Sequence, residues 1–176
     1  MRIISGKYKG RRIVAPKNLP VRPTTDFAKE GLFNIIGNHF YFEELHVLDL
    51  FAGTGNITYE FASRGAKEVN AVDVNAKCMF FIKKTSTQLG LENLKIYRAS
   101  AFTFIKRCKH QYDVIFADPP YDMKEIEKLP DVIFEKNLLK ENGWLIIEHS
   151  GFVDLSGNAR FKEKRSYGSV NFSIFT

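Results

Sequence analysis

The residues best suited to chemistry form one short run, Asp118-Pro119-Pro120-Tyr121, directly after the apolar stretch Val114 to Ala117. The two prolines fix the backbone and lack amide donors, so carbonyl groups of this turn are predicted to point outward as acceptors. An exocyclic amine on a nucleic-acid base offers two N–H bonds, which the Asp118 carboxylate and a proline carbonyl can accept. Tyr121 can stack on an extruded base. The structural alternative is a rigid strand-to-loop turn capped by the aspartate.

A second group of residues predicts a nucleoside-like ligand. The apolar run His46 to Leu50 leads straight into the turn Phe51-Ala-Gly53-Thr-Gly55. Its two glycines leave room for a ligand against the backbone. A third glycine, which would complete the dinucleotide-binding fingerprint, is replaced by Thr58. This weakens the hypothesis that the turn binds a pyrophosphate and favours S-adenosylmethionine, which has no phosphate, as the ligand. Asp49 is placed to meet the methionine ammonium of that cofactor. A purely structural glycine turn is the alternative.

Asp73 completes this predicted cofactor site. It ends the apolar run Val69 to Asp73, 20 positions after Gly53, and that spacing fits one βαβ unit. An acid at the tip of the second strand can accept both ribose hydroxyls. Alternatively, Asp73 simply faces water at the end of its strand.

A mostly parallel sheet would bring these motifs to one edge. Past residue 45, short apolar runs alternate with longer amphipathic stretches, which is typical of an α/β fold. Only four residues separate the last two predicted strands, so they must form a hairpin and the final strand is antiparallel to its neighbour. We therefore predict a seven-stranded sheet with strands at His46 to Phe51, Val69 to Asp73, Leu94 to Arg98, Tyr112 to Ala117, Trp144 to His149, Arg160 to Arg165 and Val170 to Phe175.

The helices between these strands carry recognisable end signals. Asn75 is a plausible N-cap for the helix that runs toward Leu89, and Gly90 is its C-terminal stop. Thr24 or Thr25 can cap an earlier helix from about Asp26 to Ile36, which has an apolar stripe.

The N-terminal segment holds the excess positive charge. Residues 1 to 30 contain eight basic and two acidic side chains, which accounts for the whole net charge of +6. Two extended stretches, Arg2 to Ile4 and Arg11 to Ala15, flank a glycine-rich turn and predict a small hairpin. A basic segment of this kind is expected to bind a polyphosphate, although solubility alone would also explain it. We predict an RNA-docking unit at 1–24 and a catalytic domain at 25–176, with RNA contacts from Lys7, Lys9, Arg11 and Arg12.

Composition excludes several classes of protein. A chain of 176 residues with 44% hydrophobic content suits one core, and no run approaches the roughly 20 apolar residues that span a bilayer. The two cysteines, Cys78 and Cys108, form no disulfide framework and suggest the reducing cytoplasm. The histidines show no metal-ligand spacing with the cysteines, so we expect no metal. We also expect a monomer.

The motifs together resemble a known family. The order Asp49-Leu-Phe-Ala-Gly-Thr-Gly55, Asp73 and Asp118-Pro-Pro-Tyr121 is similar to the Rossmann-like class I amino-methyltransferases. More closely, Arg2-Ile-Ile-Ser-Gly-Lys-Tyr-Lys-Gly-Arg11, Arg22-Pro-Thr-Thr-Asp26, Lys29-Glu30 with Phe33-Asn34, and Ser166-Tyr-Gly168 resemble the bacterial 16S ribosomal RNA guanine-N2 methyltransferase family. The resemblance runs from the first residues to the last.

This resemblance implies methylation of one guanine in 16S rRNA, either free or within the assembling 30S subunit, with Asp118 to Tyr121 as the catalytic turn. It places Arg22 to Asp26 beside cofactor and substrate, so that Arg22, Thr24, Thr25 and Asp26 are also expected to contact the RNA. Where such enzymes present an acid or amide to the adenine amine, this chain has Ser100 and Ala101. The residues expected to bind S-adenosylmethionine are then Asp49, Phe51, Gly53, Gly55, Asp73, Val74, Ser100, Ala101 and Asp118.

Two alternatives have different consequences. A DNA adenine-N6 or cytosine-N4 amino-methyltransferase would share the catalytic turn, but it normally needs a separate region to read several base pairs. A non-catalytic RNA-binding module would not need the Asp118 turn and would fail to bind S-adenosylmethionine.

Overall fold

A computed structural model describes residues 1–16, 19, 24–121 and 123–176. Its centre is a seven-stranded sheet in the order β3-β2-β1-β4-β5-β7-β6, in which the β5–β7 and β7–β6 pairs are antiparallel and all other pairs are parallel. The strands are β1 (His46–Leu50), β2 (Glu68–Asp73), β3 (Leu94–Arg98), β4 (Tyr112–Ala117), β5 (Leu139–His149), β6 (Phe161–Tyr167) and β7 (Val170–Phe175). The helices are α1 (Asp26–Gly37), α2 (Asn56–Ser63), α3 (Ala76–Leu89), α4 (Ala101–Arg107) and α5 (Leu129–Glu135).

The predicted α/β architecture is confirmed, with the predicted reversal at its C-terminal end. The chain reverses between β6 and β7 in a tight turn. Strand β6 continues through Ser166 and Tyr167, so only Gly168 and Ser169 form the turn. Gly168 has a φ of 64°, in the left-handed region that tight hairpin turns require. The predicted end of β6 at Arg165 was therefore two residues too early.

Strand β5 begins five residues before its predicted start at Trp144. Within this extension, Leu139 is the residue that pairs with β4, opposite Tyr112. The register then shifts, and regular pairing resumes with Trp144 opposite Val114. Asn142 within this irregular stretch has a φ of 60°. Such a bulge interrupts the alternation of buried and exposed side chains from which strands are predicted.

The sheet is covered on both faces. Alternate residues of the central strands, such as Val47 and Val114, pack toward α1, α2 and α3, while Leu48 and Ile115 pack toward α4 and α5. A side chain therefore reaches solvent most readily at a strand end, where the loops meet. None of the described helices is both long and apolar enough to cross a membrane.

The predicted end signals are confirmed for the helices that border the site. The Asn75 side chain accepts hydrogen bonds from the backbone of Lys77 and Cys78, and Gly90 caps α3 in the left-handed conformation. Of the two threonines considered for α1, Thr25 is the N-cap, and its hydroxyl accepts from the Ala28 amide. This leaves the side chain of Thr24 available for another contact.

The predicted N-terminal hairpin is less regular than two strands. Its antiparallel pairing consists of one bridge, between Arg2 and Arg12. Backbone hydrogen bonds flank this bridge, from the Ile3 amide to the Arg11 carbonyl and from the Gly10 amide to the Ile3 carbonyl. Helix α2 also holds the segment: the Glu60 carboxylate accepts the amides of Ile4 and Ser5, and the Ser63 carbonyl accepts the amide of Lys7. Because these three amides donate to α2, they take no part in pairing between the two stretches. The division of the chain at residue 24 stays a functional prediction.

Candidate active site

The turn after β1 is shaped by left-handed backbone. Phe51, Gly53 and Gly55 have φ values of 62°, 53° and 82°. A Cβ on Gly55 would lie 2.8 Å from the ring of Tyr59 in α2, so glycine is required there by space as well as by conformation. The turn brings the start of α2 close to the carboxyl end of β1.

Asp73 at the end of β2 holds this turn. Its Oδ2 accepts the Gly53 amide at 2.8 Å, and its Oδ1 accepts the Asn75 amide at 2.7 Å. Because each carboxylate oxygen has a further lone-pair site, both can still accept a hydroxyl. Asp73 therefore orders the turn and can at the same time bind a diol.

Asp49 lies at the floor of the site, on β1, and is only 1% exposed. The Thr58 hydroxyl donates to its Oδ2. Burial raises the pKa of Asp49 to about 7, the hydrogen bond from Thr58 lowers it, and the nearby charges of Asp73 and Glu148 raise it further. A cation bound beside this carboxyl would favour its ionised form.

The run Asp118 to Tyr121 follows β4 at the same edge. Asp118 is partly exposed and Tyr121 is largely exposed. Burial of its carboxyl raises the pKa of Asp118 well above its usual range, with the charges of Glu148 and Asp49 adding to the shift. The Pro120 carbonyl accepts the Met123 amide at 2.9 Å. The predicted proline acceptor is therefore either the Pro119 carbonyl or the second lone pair of Pro120.

These elements enclose a cleft of about 280 Å³. Three carboxyl groups line it, those of Asp49, Asp73 and Asp118, and its described lining contains no basic side chain. Its other lining residues are Thr24, Phe51, Ala52, Gly53, Thr54, Asn56, Ile57, Phe116, Pro119, Pro120 and Tyr121. The cleft is thus acidic, with apolar walls, and suits a cationic ligand that carries a flat or aliphatic part.

Several predicted cofactor residues lie outside this lining. Gly55, Val74, Ser100 and Ala101 are not among its described members. The Ser100 hydroxyl caps α4 through the Thr103 amide and bonds to the Thr103 hydroxyl. Helix capping by Ser100 is a local signal that was readable from the sequence.

The predicted RNA-binding residues occupy different places. The side chains of Lys7, Lys9, Arg11 and Arg12 are exposed on the N-terminal segment. Asp26 pairs with Arg2, whose Nε lies 3.2 Å from Oδ2. Thr25 caps α1, and Thr24 lines the cleft. Arg22 lies outside the described residues.

Glu148 also belongs to this edge of the sheet, although the sequence does not decide whether it borders the site or is exposed. It is buried at the end of β5, and its Oε2 accepts a 2.7 Å hydrogen bond from the Thr24 hydroxyl. Burial raises the pKa of Glu148 to about 7, and the Thr24 bond lowers it. Its position at the tip of a central strand was the available signal, since neighbouring strand ends meet at this edge.

Lys29 was also missed, because only its place within the family motif was noted. It is 1% exposed in α1, and its Nζ lies 2.6 Å from the Arg2 carbonyl, 2.9 Å from Asn56 Oδ1 and 3.4 Å from Glu60 Oε2. Asn56 Nδ2 in turn donates to the Thr24 carbonyl. Burial lowers the pKa of Lys29, while Glu60 raises it. This buried network joins the N-terminal segment to the cleft, and a lysine on the buried face of α1 was its sequence signal.

Within residues 1–16, 19, 24–121 and 123–176, no group of three or more histidine, cysteine, aspartate or glutamate side chains could hold a metal ion.

The sheet order, the reversed last strand and the acidic cleft beyond the carboxyl ends of the strands assign the protein to the Rossmann-like class I methyltransferase fold. The family model described as "Conserved hypothetical protein 95" matches residues 1–176, and the chain belongs to this family. The family resemblance found in the sequence is confirmed by this match and by the relatives.

A relative from Buchnera aphidicola subsp. Baizongia pistaciae, named "Ribosomal RNA small subunit methyltransferase D", is 31% identical over an alignment of 179 positions that covers 99% of this chain and 91% of that protein. A candidate methylase of known structure from Haemophilus influenzae is 27% identical with a TM-score of 0.80, covering 99% of this chain and 96% of its own. A structure complexed with SAH is 19% identical with a TM-score of 0.63, covering 75% of this chain and 45% of its own. At that identity it supports the fold alone.

Proposed function

We propose that this protein transfers a methyl group from S-adenosylmethionine to the exocyclic N2 amine of one guanine in 16S ribosomal RNA. The observation that carries the proposal is the cleft itself, in which three carboxyl groups and no described basic side chain face the same space beside the Asp118 turn. The relative named a small-subunit rRNA methyltransferase covers almost the whole chain and supports the substrate class.

S-adenosylmethionine fits the charge of this cleft. The cofactor has a sulfonium and an ammonium. Burial, together with neighbouring carboxyl charges, raises the pKa values of Asp49 and Asp118, and a bound cation would favour their ionised forms. Asp49 would meet the ammonium, Asp73 the ribose hydroxyls, and Gly53 would allow close approach of the backbone. The pyrophosphate of NAD would face the same carboxyls and be repelled.

When bound, the cofactor supplies an electrophilic methyl group, and the residues of the chain prepare the acceptor. The Asp118 carboxylate and a proline carbonyl would accept the two N–H bonds of the guanine amine, which orients its nitrogen and increases its electron density. Largely exposed Tyr121 would stack on the extruded base. Prolines 119 and 120 hold these acceptors in a fixed backbone.

The basic N-terminal segment would dock the RNA. Lys7, Lys9, Arg11 and Arg12 are exposed, while the backbone of their segment is fastened to α2 by Glu60 and Ser63. Phosphate contacts there would position the substrate without reading its sequence. The network through Lys29 and Asn56 would keep this docking surface at a constant distance from the cleft.

The proposal is tested by methyl transfer from labelled S-adenosylmethionine to 30S particles that lack the modification, with naked 16S rRNA and duplex DNA as parallel substrates. We expect label in N2-methylguanosine after nucleoside digestion. Label in another nucleoside would contradict the N2 specificity, and label only in DNA would favour the amino-methyltransferases of DNA. Absence of cofactor binding would favour a non-catalytic RNA-binding module.

A further inference from the structure

Two aromatic side chains, Phe27 and Tyr167, lie at the cleft edge of the sheet and take no part in the proposed chemistry. Phe27 is 68% exposed on the first turn of α1, three residues after Thr24, which lines the cleft. Tyr167 ends β6, and two antiparallel pairings bring this end to the same edge as the end of β5. The ring centroids are 5.8 Å apart and the ring planes are inclined at 79°.

Gly31 shows that this aromatic pair is built into the fold. It lies one turn after Phe27 in α1, and a Cβ there would be 2.1 Å from the Tyr167 ring. Glycine is the least favourable helix residue after proline, so its presence inside α1 is explained by the ring that lies on the helix backbone. The Tyr167 ring also packs against Phe172 of the core, which holds the ring that Phe27 contacts in place.

Basic side chains lie next to both members of the pair. Beside Phe27, the ion pair of Arg2 with Asp26 brings the N-terminal segment to the first turn of α1. Beside Tyr167, the edge strand β6 carries exposed Lys164 and Arg165, of which Arg165 also pairs with Glu163. A lone exposed aromatic residue needs no explanation, but an aromatic surface between two basic segments is the arrangement that binds single-stranded nucleic acid.

We propose that Phe27, supported by Tyr167, is the stacking platform for a base next to the target guanine in single-stranded rRNA. The inference rests on the proposed function. Extruding the target base removes one stacking partner from each neighbouring base, and the exposed face of Phe27 replaces that contact while phosphates lie on the flanking basic residues. A flat ring with only two side-chain torsions loses little freedom in doing so.

The test compares Phe27→Ala with Phe27→Trp and with Tyr41→Ala. Tyr41 is 78% exposed and lies shortly before β1, at the opposite edge of the sheet, so it is a matched control for loss of an exposed aromatic ring. We expect Phe27→Ala to weaken binding of unmodified 16S rRNA by about 5- to 100-fold, the range of base–aromatic stacking. Phe27→Trp and Tyr41→Ala should bind nearly as the wild type does.

Salt dependence adds an independent measure. Stacking releases no counterions, so Phe27→Ala should lower the RNA affinity at every salt concentration without changing the log-log slope. Cofactor affinity should be unchanged, and the KM for RNA should rise more than kcat falls. Wild-type affinity in Phe27→Ala, or an equal loss in Phe27→Trp or Tyr41→Ala, overturns the stacking role. If the wild-type protein does not methylate rRNA, the proposed function itself is wrong. If the wild type is active and Phe27→Ala binds RNA with the same affinity, only the stacking role is wrong.

Discussion

The Thr24 hydroxyl donates a 2.7 Å hydrogen bond to Oε2 of Glu148 across 124 positions of sequence, and both side chains are buried. Thr24 immediately precedes the N-cap of α1, and Glu148 lies on β5, next to β4, which Asp118 directly follows. The bond therefore joins the start of α1 to the edge of the sheet that carries the proposed active site. Its loss should affect both stability and catalysis.

Thr24→Val tests the bond directly, because valine keeps the shape of threonine but not its donor. We expect the free energy of unfolding to fall by about 1–3 kcal/mol, the usual cost of a buried polar group without its partner. Thr24→Ser keeps the hydroxyl and should recover most of this loss. Urea unfolding of the three proteins at one pH measures it, and equal midpoints for Thr24→Val and wild type would show that the bond does not contribute.

Glu148→Gln should move the pH dependence of methylation. The charge of Glu148 helps to raise the pKa of Asp118, and the proposed acceptor role favours an ionised Asp118. The rate should therefore rise with pH as Asp118 ionises, and removal of the Glu148 charge should displace that rise to lower pH. The glutamine amide oxygen can still accept the Thr24 bond, so the fold is retained. A kcat profile that stays in place or moves to higher pH would contradict this electrostatic coupling.

Asp49→Asn should stabilise the cofactor-free protein while weakening cofactor binding. The pKa of Asp49 is about 7 in the fold, above its ordinary value of 3.8. Between pH 3.8 and about pH 7 the folded state binds a proton that the unfolded state has released. The free energy of unfolding therefore falls as the pH rises through this range, and above pH 7 it remains lower than at acidic pH. The neutral amide of asparagine avoids this loss. The size of the Asp49 pKa shift sets an upper limit of about 4 kcal/mol on the free energy of unfolding that can be gained.

Thermal unfolding at about pH 5 and about pH 8 measures the difference, and calorimetry with S-adenosylmethionine measures the affinity. We expect the variant to gain stability mainly at the higher pH. A variant that binds the cofactor as well as the wild type would exclude Asp49 as the partner of the ammonium.

Asp118→Ala should abolish turnover with a much smaller effect on cofactor affinity, since its carboxylate borders the cofactor cleft but its proposed hydrogen bond is to the target amine. Loss of a directly positioned acceptor typically costs on the order of 100-fold or more in rate. Single-turnover methylation with saturating cofactor measures the rate, and calorimetry provides the control for folding and binding. Methylation above a few per cent of the wild-type rate would count against this assignment.

Neutral replacements of Lys7, Lys9, Arg11 and Arg12 should weaken RNA binding without unfolding the N-terminal segment, because that segment is held largely through its backbone and by Glu60 and Ser63. Each lost phosphate contact should reduce the log-log salt slope by somewhat less than about one unit. The matched control removes four exposed charges near the ends of α4 and α5, on the other face of the sheet: Lys106, Arg107, Lys109 and Lys136. Equal slopes for the two variants in filter binding would mean that the N-terminal charges serve solubility.

The sequence by itself determined the features that depend on neighbouring residues. The alternation of apolar runs and amphipathic stretches predicted all seven strands and the reversed last strand. Asn75 and Gly90 marked the ends of α3, since capping needs only the first or last turn of a helix. The turn from Phe51 to Gly55 and the run from Asp118 to Tyr121 are also contiguous, so their positions at strand ends followed once the strands were known.

Only the tertiary structure decided which distant residues meet. The Thr24–Glu148 bond and the buried contacts of Lys29 with Asn56 and Glu60 join elements whose separation in sequence carries no local signal. The N-terminal segment, predicted as two paired stretches, has one bridge with flanking backbone hydrogen bonds, and α2 accepts the amides of Ile4 and Ser5. Such contacts are selected by burial, which requires every polar group removed from water to find a partner wherever the packed chain provides one.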